Sequence, residues 1–224
     1  MYFPRLYPDE LLYSGIARCR VHLGIGNHKT LLHMLFGDSK VAAITDLPTH
    51  LTALANNTGL DAEGMILNHT LFPLYAPFIP PERRTDLFQA MLASNRPTIG
   101  LSGASTALVK WPDWLRYCPI CFEDMAARYG EPYWQRSWQI QGIDACPEHG
   151  CQLLNSPILF RRAQRHEFHP ASPLFLPPDL RVSPAGEEAI RLAKAAMQLL
   201  ALEEVQSPGY GRWTNLYRYL ATEC

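Results

Sequence analysis

Two short cysteine motifs constrain the fold of this chain more than any other feature. The first is Cys118-Pro-Ile-Cys121, and the second is Cys146-Pro-Glu-His149-Gly150. Proline after the first cysteine stiffens each turn, and Gly150 allows the backbone to leave the second turn at positive φ. Two turns of this kind can supply four tetrahedral ligands to one ion. The spacing therefore predicts a single metal ion held by Cys118, Cys121, Cys146 and His149.

Zinc is the metal that this ligand set favours. Three thiolates and one imidazole close a tetrahedral shell, as in structural zinc sites, whereas a catalytic zinc keeps one position open for water. The alternative, unrelated thiols in a core, is disfavoured because two independent turns agree. Cys151 is a weaker candidate for the fourth ligand because its spacing from Cys146 lacks the turn geometry. A second ion on Cys151, His166 and His169 is not expected because a fourth ligand is missing.

Composition indicates an ordinary globular protein. Hydrophobic residues make up 47% of the 224 residues and charged residues 18%, which is enough apolar material for a core. The net charge is −1, from 20 basic and 21 acidic residues, so any nucleic-acid contact has to be local. The chain has neither a long apolar run nor a signal-peptide pattern. We therefore expect a cytoplasmic protein with no membrane partner.

Apolar residues at helical spacing predict a mainly α fold. Residues 1–95 are expected to form a helical, helix-turn-helix-like domain, and 94–110 a linker. Residues 111–154 are the zinc-binding module, of the zinc-knuckle or zinc-ribbon type, and 155–224 an irregular basic segment followed by C-terminal helices. The helices are expected near 9–23, 27–37, 48–57, 61–69, 82–92, 123–129 and 185–205, with an irregular strap over 70–81.

Alternating residues between the two cysteine motifs predict one strand. It runs over 133–140 and lays Trp134, Trp138 and Ile140 over the metal site. The tryptophans are interpreted as core rather than as a ligand platform, because a small zinc module needs bulky neighbours. In the last helix, Leu192 is expected on the buried face.

The second predicted helix is a candidate for contact with DNA. In a helix-turn-helix it would present its first residues to the major groove. A plain helical hairpin is the alternative, and the pattern alone favours it. The candidate contact residues are Asn27, His28, Lys29 and His33.

A basic cluster follows the zinc module. Arg161, Arg162 and Arg165 could contact phosphate or an acidic partner, although a solvated charge run explains them equally well. The chain shows no Ser-His-Asp order, phosphate-binding glycine loop or paired carboxylate motif. We therefore expect neither enzyme activity nor a small-molecule substrate.

Three segments resemble the TnsD/TniQ family of target-selection proteins from heteromeric bacterial transposons. They are FPRLYPDELLYSGIARCRVHLGI at 3–25, NHTLFPLYAPF at 68–78 and RYCPICFEDMAARYGEPYWQRSWQIQGIDACPEHGCQL at 116–153. The last segment, with the four predicted ligands, is the most specific of the three.

The resemblance implies an adaptor that marks the insertion site and recruits the AAA+ ATPase TnsC. TnsD-type members bind an attachment-site DNA themselves, whereas TniQ-type members act through a CRISPR RNA-guided complex; the three segments look closer to TnsD. The resemblance also implies that the chain could be the N-terminal portion of a longer protein. A stand-alone, zinc-containing, sequence-specific DNA-binding regulator remains the alternative.

Overall fold

The computed structural model describes residues 1–93, 97–98, 100–103, 109–160, 165–177, 180–202 and 210–223. This part of the chain is mainly helical, as predicted. The helices are α1 (Leu12–His22), α2 (His28–Phe36), α3 (Leu51–Thr58), α4 (Ala62–His69), α5 (Phe72–Tyr75), α6 (Pro81–Leu92), α7 (Pro119–Tyr129), α8 (Glu187–Leu200) and α9 (Tyr210–Glu223). The strands are β1 (Trp114–Tyr117) and β2 (Leu154–Leu159), and 3₁₀ turns lie at Ala76–Phe78, Ser137–Gln139 and Pro173–Phe175.

Local capping signals set the boundaries of α2 and the start of α4. The Asn27 side chain accepts a hydrogen bond from the Lys29 amide, and Gly37 ends α2 with φ at 72°. Asp61 caps α4 by accepting from the amides of Glu63 and Gly64. These boundaries agree with the sequence prediction because all three signals lie beside the helices that they limit.

The first helix begins three residues later than predicted. Asp9 has a positive φ of 55°, and Glu10 forms an isolated bridge with Gln135. This backbone conformation keeps Asp9 and Glu10 out of the helix, so α1 begins at Leu12. The early acidic pair resembles a helix start, but the Asp9 side chain contacts Arg136 and Ser137, and the Glu10 side chain contacts Tyr7 and Arg18.

The strand predicted over 133–140 is wrong. Beyond the bridge at Gln135, the segment curls into the 3₁₀ turn Ser137–Gln139. The Asp9 carboxylate holds this turn by accepting from both the amide and the hydroxyl of Ser137, at 3.2 and 2.7 Å. Trp134 and Trp138 are nevertheless fully buried, so their predicted place in the core is confirmed.

The sheet consists instead of β1 paired antiparallel with β2. Trp114 lies opposite Leu159 and Tyr117 opposite Leu154, with an irregularity between Trp114 and Arg116. The strands lie directly before the first cysteine motif and shortly after the second. The sheet therefore brings the two motifs to the same place in the molecule.

One hydrophobic core connects the N-terminal helices with the cysteine-bearing segment. Thr98, within the predicted linker, is also buried, and its hydroxyl donates to the carbonyl of Leu47 at 2.8 Å. Residues of the shared core include Leu12, Ile16, Leu32, Leu54, Ile66, Phe72, Met91, Leu115, Phe122, Trp134, Trp138 and Phe160.

Helix α8 packs against α5 through small side chains. Ala193, Ala196 and Leu200 are buried as predicted, but Leu192 is 54% exposed, so its predicted burial is wrong. The alanines let the helix approach closely, and Leu192 falls beside the contact stripe. Among the described residues, no helix combines the length and apolar character needed to cross a membrane.

Candidate metal centre

The first cysteine motif is formed where β1 passes into α7. Cys118 is the N-cap of that helix, and its Sγ accepts a hydrogen bond from the Cys121 amide at 3.5 Å. Pro119 occupies the first helical position, where its missing N–H leaves no donor unpaired. A strand, a cap and one helical turn thus place both thiols on the same side of the chain.

The second motif is a tight turn closed by its own backbone. The Gly150 amide donates to the Cys146 carbonyl at 3.0 Å, and the Cys146 amide donates to the Cys151 carbonyl at 2.8 Å. The His149 amide also donates to Cys146 Sγ at 3.4 Å. Gly150 has φ at 62°, which is the left-handed conformation expected from its position in the motif.

The four predicted ligands lie together. Their ligand atoms are all within 4.8 Å of one another. Cys121 Sγ lies 3.7 Å from Cys146 Sγ. His149 Nδ1 lies 3.6, 3.2 and 3.8 Å from the Sγ atoms of Cys118, Cys121 and Cys146.

These separations fit a tetrahedral shell around one ion. Metal–sulfur bonds of about 2.3 Å and metal–nitrogen bonds of about 2.0 Å give tetrahedral S···S edges of about 3.8 Å and S···N edges of about 3.5 Å. The three cysteines are buried and His149 is partly buried. The cluster could therefore hold a metal ion.

The thiols also alter one another's ionisation. Hydrogen bonds from Cys118 and Cys121 lower the pKa of Cys146. Hydrogen bonds with Cys118 and Cys146, together with burial, raise the pKa of Cys121. One thiolate forms readily in this cluster, and its neighbour resists ionisation unless a cation compensates the added charge. Such a site suits a cation that binds thiolates.

A second layer of contacts orients the imidazole. Because His149 turns Nδ1 toward the thiols, Nε2 is left to donate, and it lies 3.3 Å from Asp124 Oδ2 on α7. A carboxylate in this position fixes the ring orientation and strengthens the imidazole as a ligand. Sequence reasoning missed Asp124, because the contact depends on how α7 faces the second motif.

A family model described as TniQ matches residues 1–153. The chain belongs to the TniQ family. The curated proteins include a relative that is 36% identical over 231 aligned residues, the Tn7 transposition protein TnsD of Escherichia coli. The alignment covers 99% of this chain but 44% of that protein, so the chain spans less than half of its relative's length.

Cys151 lies beside the metal centre of this TniQ-family chain. Its Sγ is 3.4 Å from Cys118 Sγ, but it is outside the group of four whose ligand atoms are all mutually close. His166 is occupied elsewhere, since its Nδ1 lies 2.9 Å from the Val41 carbonyl. Among the described residues, Cys151, His166 and His169 do not form a second group able to hold an ion.

The structure brings together two candidate contact regions that are far apart in the TniQ-family sequence. Asn27, His28 and Lys29, at the start of α2, line a groove of about 540 Å³ with Arg165 and His166. The far side of the groove is anchored through the Ala43 amide, which donates to the Arg165 carbonyl at 2.8 Å.

The candidate contact residues differ in how much of each side chain is available to a ligand. Lys29, His33 and Arg165 are exposed, whereas Asn27 uses its side chain as the α2 cap. His28 Nδ1 accepts from the Phe168 amide at 3.2 Å, so its Nε2 is the ring atom left for a ligand. Arg161 and Arg162 lie outside the described residues.

Proposed function

We propose that this chain selects the target site in DNA transposition as an adaptor between insertion-site DNA and an AAA+ ATPase of the TnsC type. The single observation that carries the proposal is the 36% identity with Tn7 TnsD over 99% of this chain. In this role the chain positions other proteins and performs no chemistry itself. A near-neutral charge of −1 suits a protein-binding adaptor better than a general DNA-coating protein.

The metal centre is proposed to hold one zinc ion with a structural role. Three thiolates and the His149 imidazole fill the shell, so no position is left for a reacting water. The ion would join the β1–α7 junction to the turn at Cys146–Gly150, as in zinc-knuckle or zinc-ribbon modules. Its contribution to function is to keep the surfaces on these elements in place.

The groove at the start of α2 is proposed as the DNA contact, with α1 and α2 acting as a helix-turn-helix. Lys29 and Arg165 provide two exposed positive charges, and Glu167 is the single acidic residue among the described residues that line the groove. The free amides in the first turn of α2 add a partial positive charge that favours a phosphate. His33 lies one helical turn after Lys29 on the exposed side of α2.

The adaptor proposal is tested by assembly in solution. The purified chain is mixed with the TnsC-type ATPase of the same transposon, ATP and duplex DNA, and association is followed by sedimentation. We expect the chain to sediment with the DNA-bound ATPase. A chain that fails to associate with the ATPase under any nucleotide condition would contradict the proposal, and selective, salt-resistant binding to DNA alone would support a stand-alone DNA-binding regulator.

The route to DNA is tested separately with the charge-reversal variant Lys29→Glu/Arg165→Glu. We expect DNA binding to weaken at least tenfold and its salt dependence to become shallower, because two phosphate contacts are lost. The control variant Arg191→Glu/Lys194→Glu changes the charge equally on the exposed side of α8 and should bind DNA as the native chain does. If the native chain binds no DNA, or if the two variants bind DNA with equal affinity, recruitment through a CRISPR effector complex becomes the better account.

A further inference from the structure

A second groove lies where the N-terminal segment meets the ends of α4 and α7. Its volume is about 700 Å³, within the usual range of ligand-binding clefts. It shares no lining residue with the groove at the start of α2. The lining residues are Arg5, Leu6, Tyr7, Pro8, Asp9, Asn68, His69, Arg128, Tyr129 and Arg136.

The groove carries an excess of positive charge. Among the described residues that line it, Asp9 is the only acidic one, and its carboxylate pairs with Arg136 at 3.0 Å and accepts a hydrogen bond from the Ser137 hydroxyl at 2.7 Å. Within the described part of the chain, the exposed guanidinium groups of Arg5 and Arg128 are not paired with a carboxylate. The two arginines therefore favour an anionic occupant.

The aromatic side chains of the groove do not offer a platform for stacking bases. The Tyr7 ring is covered by the Arg18 guanidinium, 4.0 Å from its centroid, and stacks on Tyr129 at 4.3 Å. Arg128 lies 5.2 Å from the centroid of the Tyr129 ring. Single-stranded nucleic acid is recognised largely through open aromatic faces, and these faces are used within the molecule. An acidic peptide needs no open aromatic face, because its carboxylates can pair with the two arginines, so it suits this groove better than a single strand does.

The walls of the groove are held rigidly from behind. Arg136 donates to the carbonyls of Leu67 and Thr70, at 2.9 and 3.1 Å, in addition to its contact with Asp9. The Tyr133 hydroxyl donates to the Pro8 carbonyl at 3.0 Å. Because these contacts order the groove before a ligand binds, less conformational entropy is lost on binding.

We propose that this groove binds an acidic peptide segment of a protein partner. Carboxylates of the segment would pair with Arg5 and Arg128, and its apolar side chains would pack on Leu6, Pro8 and the tyrosine edges, as in the recognition of acidic motifs by arginine clusters. The inference rests on the proposed adaptor function and identifies the surface through which the chain would hold its ATPase partner. The adaptor would then use separate grooves for DNA and protein.

The test is the charge-reversal variant Arg5→Glu/Arg128→Glu, examined for association with the TnsC-type ATPase and, in parallel, for DNA binding. We expect ATPase association to weaken at least tenfold while DNA binding is unchanged. The neutral variant Arg5→Gln/Arg128→Gln should give an intermediate loss, and thermal unfolding should show that both variants are folded. The matched control Arg191→Glu/Lys194→Glu should bind the ATPase as the native chain does.

The outcomes separate the two proposals. If the native chain itself does not bind the ATPase, the adaptor function fails; if it binds and the groove variant binds equally well, only the assignment of the groove fails. A photoreactive benzophenone amino acid in place of the exposed, groove-lining Asn68 identifies the occupant. Cross-linking to an Asp/Glu-rich segment of the ATPase would support the inference, and cross-linking to DNA or to a segment without acidic residues would overturn it.

Discussion

Asp124 contacts the imidazole of His149 in the candidate metal centre. The Asp124 carboxylate is 67% exposed, so water weakens its effect on Nε2 at 3.3 Å. We expect Asp124→Asn to lower zinc affinity by about tenfold, at the low end for an outer-shell partner. Competition with a chromophoric chelator measures the change. Glu123→Gln, an exposed neighbour on the same helix, is the control, and equal affinities for the two variants would show that Asp124 does not orient the ligand.

Glu10 and Arg18 form an ion pair that is almost completely buried. Their side chains are 0% and 3% exposed and lie 2.8 Å apart, and Arg18 also contacts Glu131. We expect Glu10→Gln to lower the free energy of unfolding by about 3 kcal/mol, because it removes one partner of a buried pair. Urea unfolding measures this value.

A suitable control is Glu188→Gln on the surface of α8, where the Glu188 side chain is 93% exposed and only 3.8 Å from Arg191. Its effect should stay within about 0.5 kcal/mol. If Glu10→Gln is as mild as the control, the buried pair does not stabilise the fold.

Among single residues, the clustering of Cys118, Cys121, Cys146 and His149 could be predicted from sequence, whereas the contacts that support them could not. Cys118 and Cys121, and likewise Cys146 and His149, are close in the chain, so each half of the site has a local signature. Asp124 reaches its partner across the fold. Glu10 looked like a first-turn helix residue, and only the folded chain shows that it serves Arg18.

Among the elements, the turn at Ser137–Gln139 supports β1 through the Gln139 side chain. The Arg116 amide donates to Gln139 Oε1 at 3.0 Å, and Gln139 Nε2 donates to the Arg116 carbonyl at 2.8 Å. A fully buried side-chain amide therefore pairs with the strand much as a backbone peptide would. The segment 133–140, which was predicted as a strand, therefore lies outside the sheet and stabilises β1 through the Gln139 side chain.

Replacing this amide should destabilise the chain. We expect Gln139→Leu to lower the free energy of unfolding by about 2–3 kcal/mol, because two buried backbone groups lose a partner. Gln152→Leu replaces an exposed glutamine near the second cysteine motif and should have little effect. Thermal unfolding of both variants makes the comparison, and similar melting temperatures would contradict the proposed support.

Helices α2 and α4 were predictable because their caps are local, at Asn27, Gly37 and Asp61, whereas α1 begins later than predicted and α5 lies in the segment predicted as an irregular strap. The sheet was not, since β1 and β2 are short and lie far apart in the chain. The segment 133–140 has a strand-like pattern, but the carboxylate of distant Asp9 holds Ser137 in a 3₁₀ turn. Long-range contacts therefore set the conformations that the sequence pattern missed.

On the scale of the whole molecule, the metal centre is built into the principal core. Cys118, Cys121 and Cys146 belong to the same buried cluster as side chains of α1–α4. The groove lined by Arg5 and Arg128 also depends on the N-terminal segment and on the cysteine-bearing segment, because α7 begins within the first cysteine motif and ends at Tyr129 in the groove lining. Loss of the ion should therefore disturb the whole fold and with it the proposed partner surfaces.

The most direct test of this account is the metal content of the folded chain. Native mass spectrometry should find one zinc ion per chain, and removal of the ion with a strong chelator should abolish the near-ultraviolet circular dichroism of the buried tryptophans. Cys146→Ser should yield an aggregating or unfolded product. A soluble, folded chain that carries no metal would contradict the central claim.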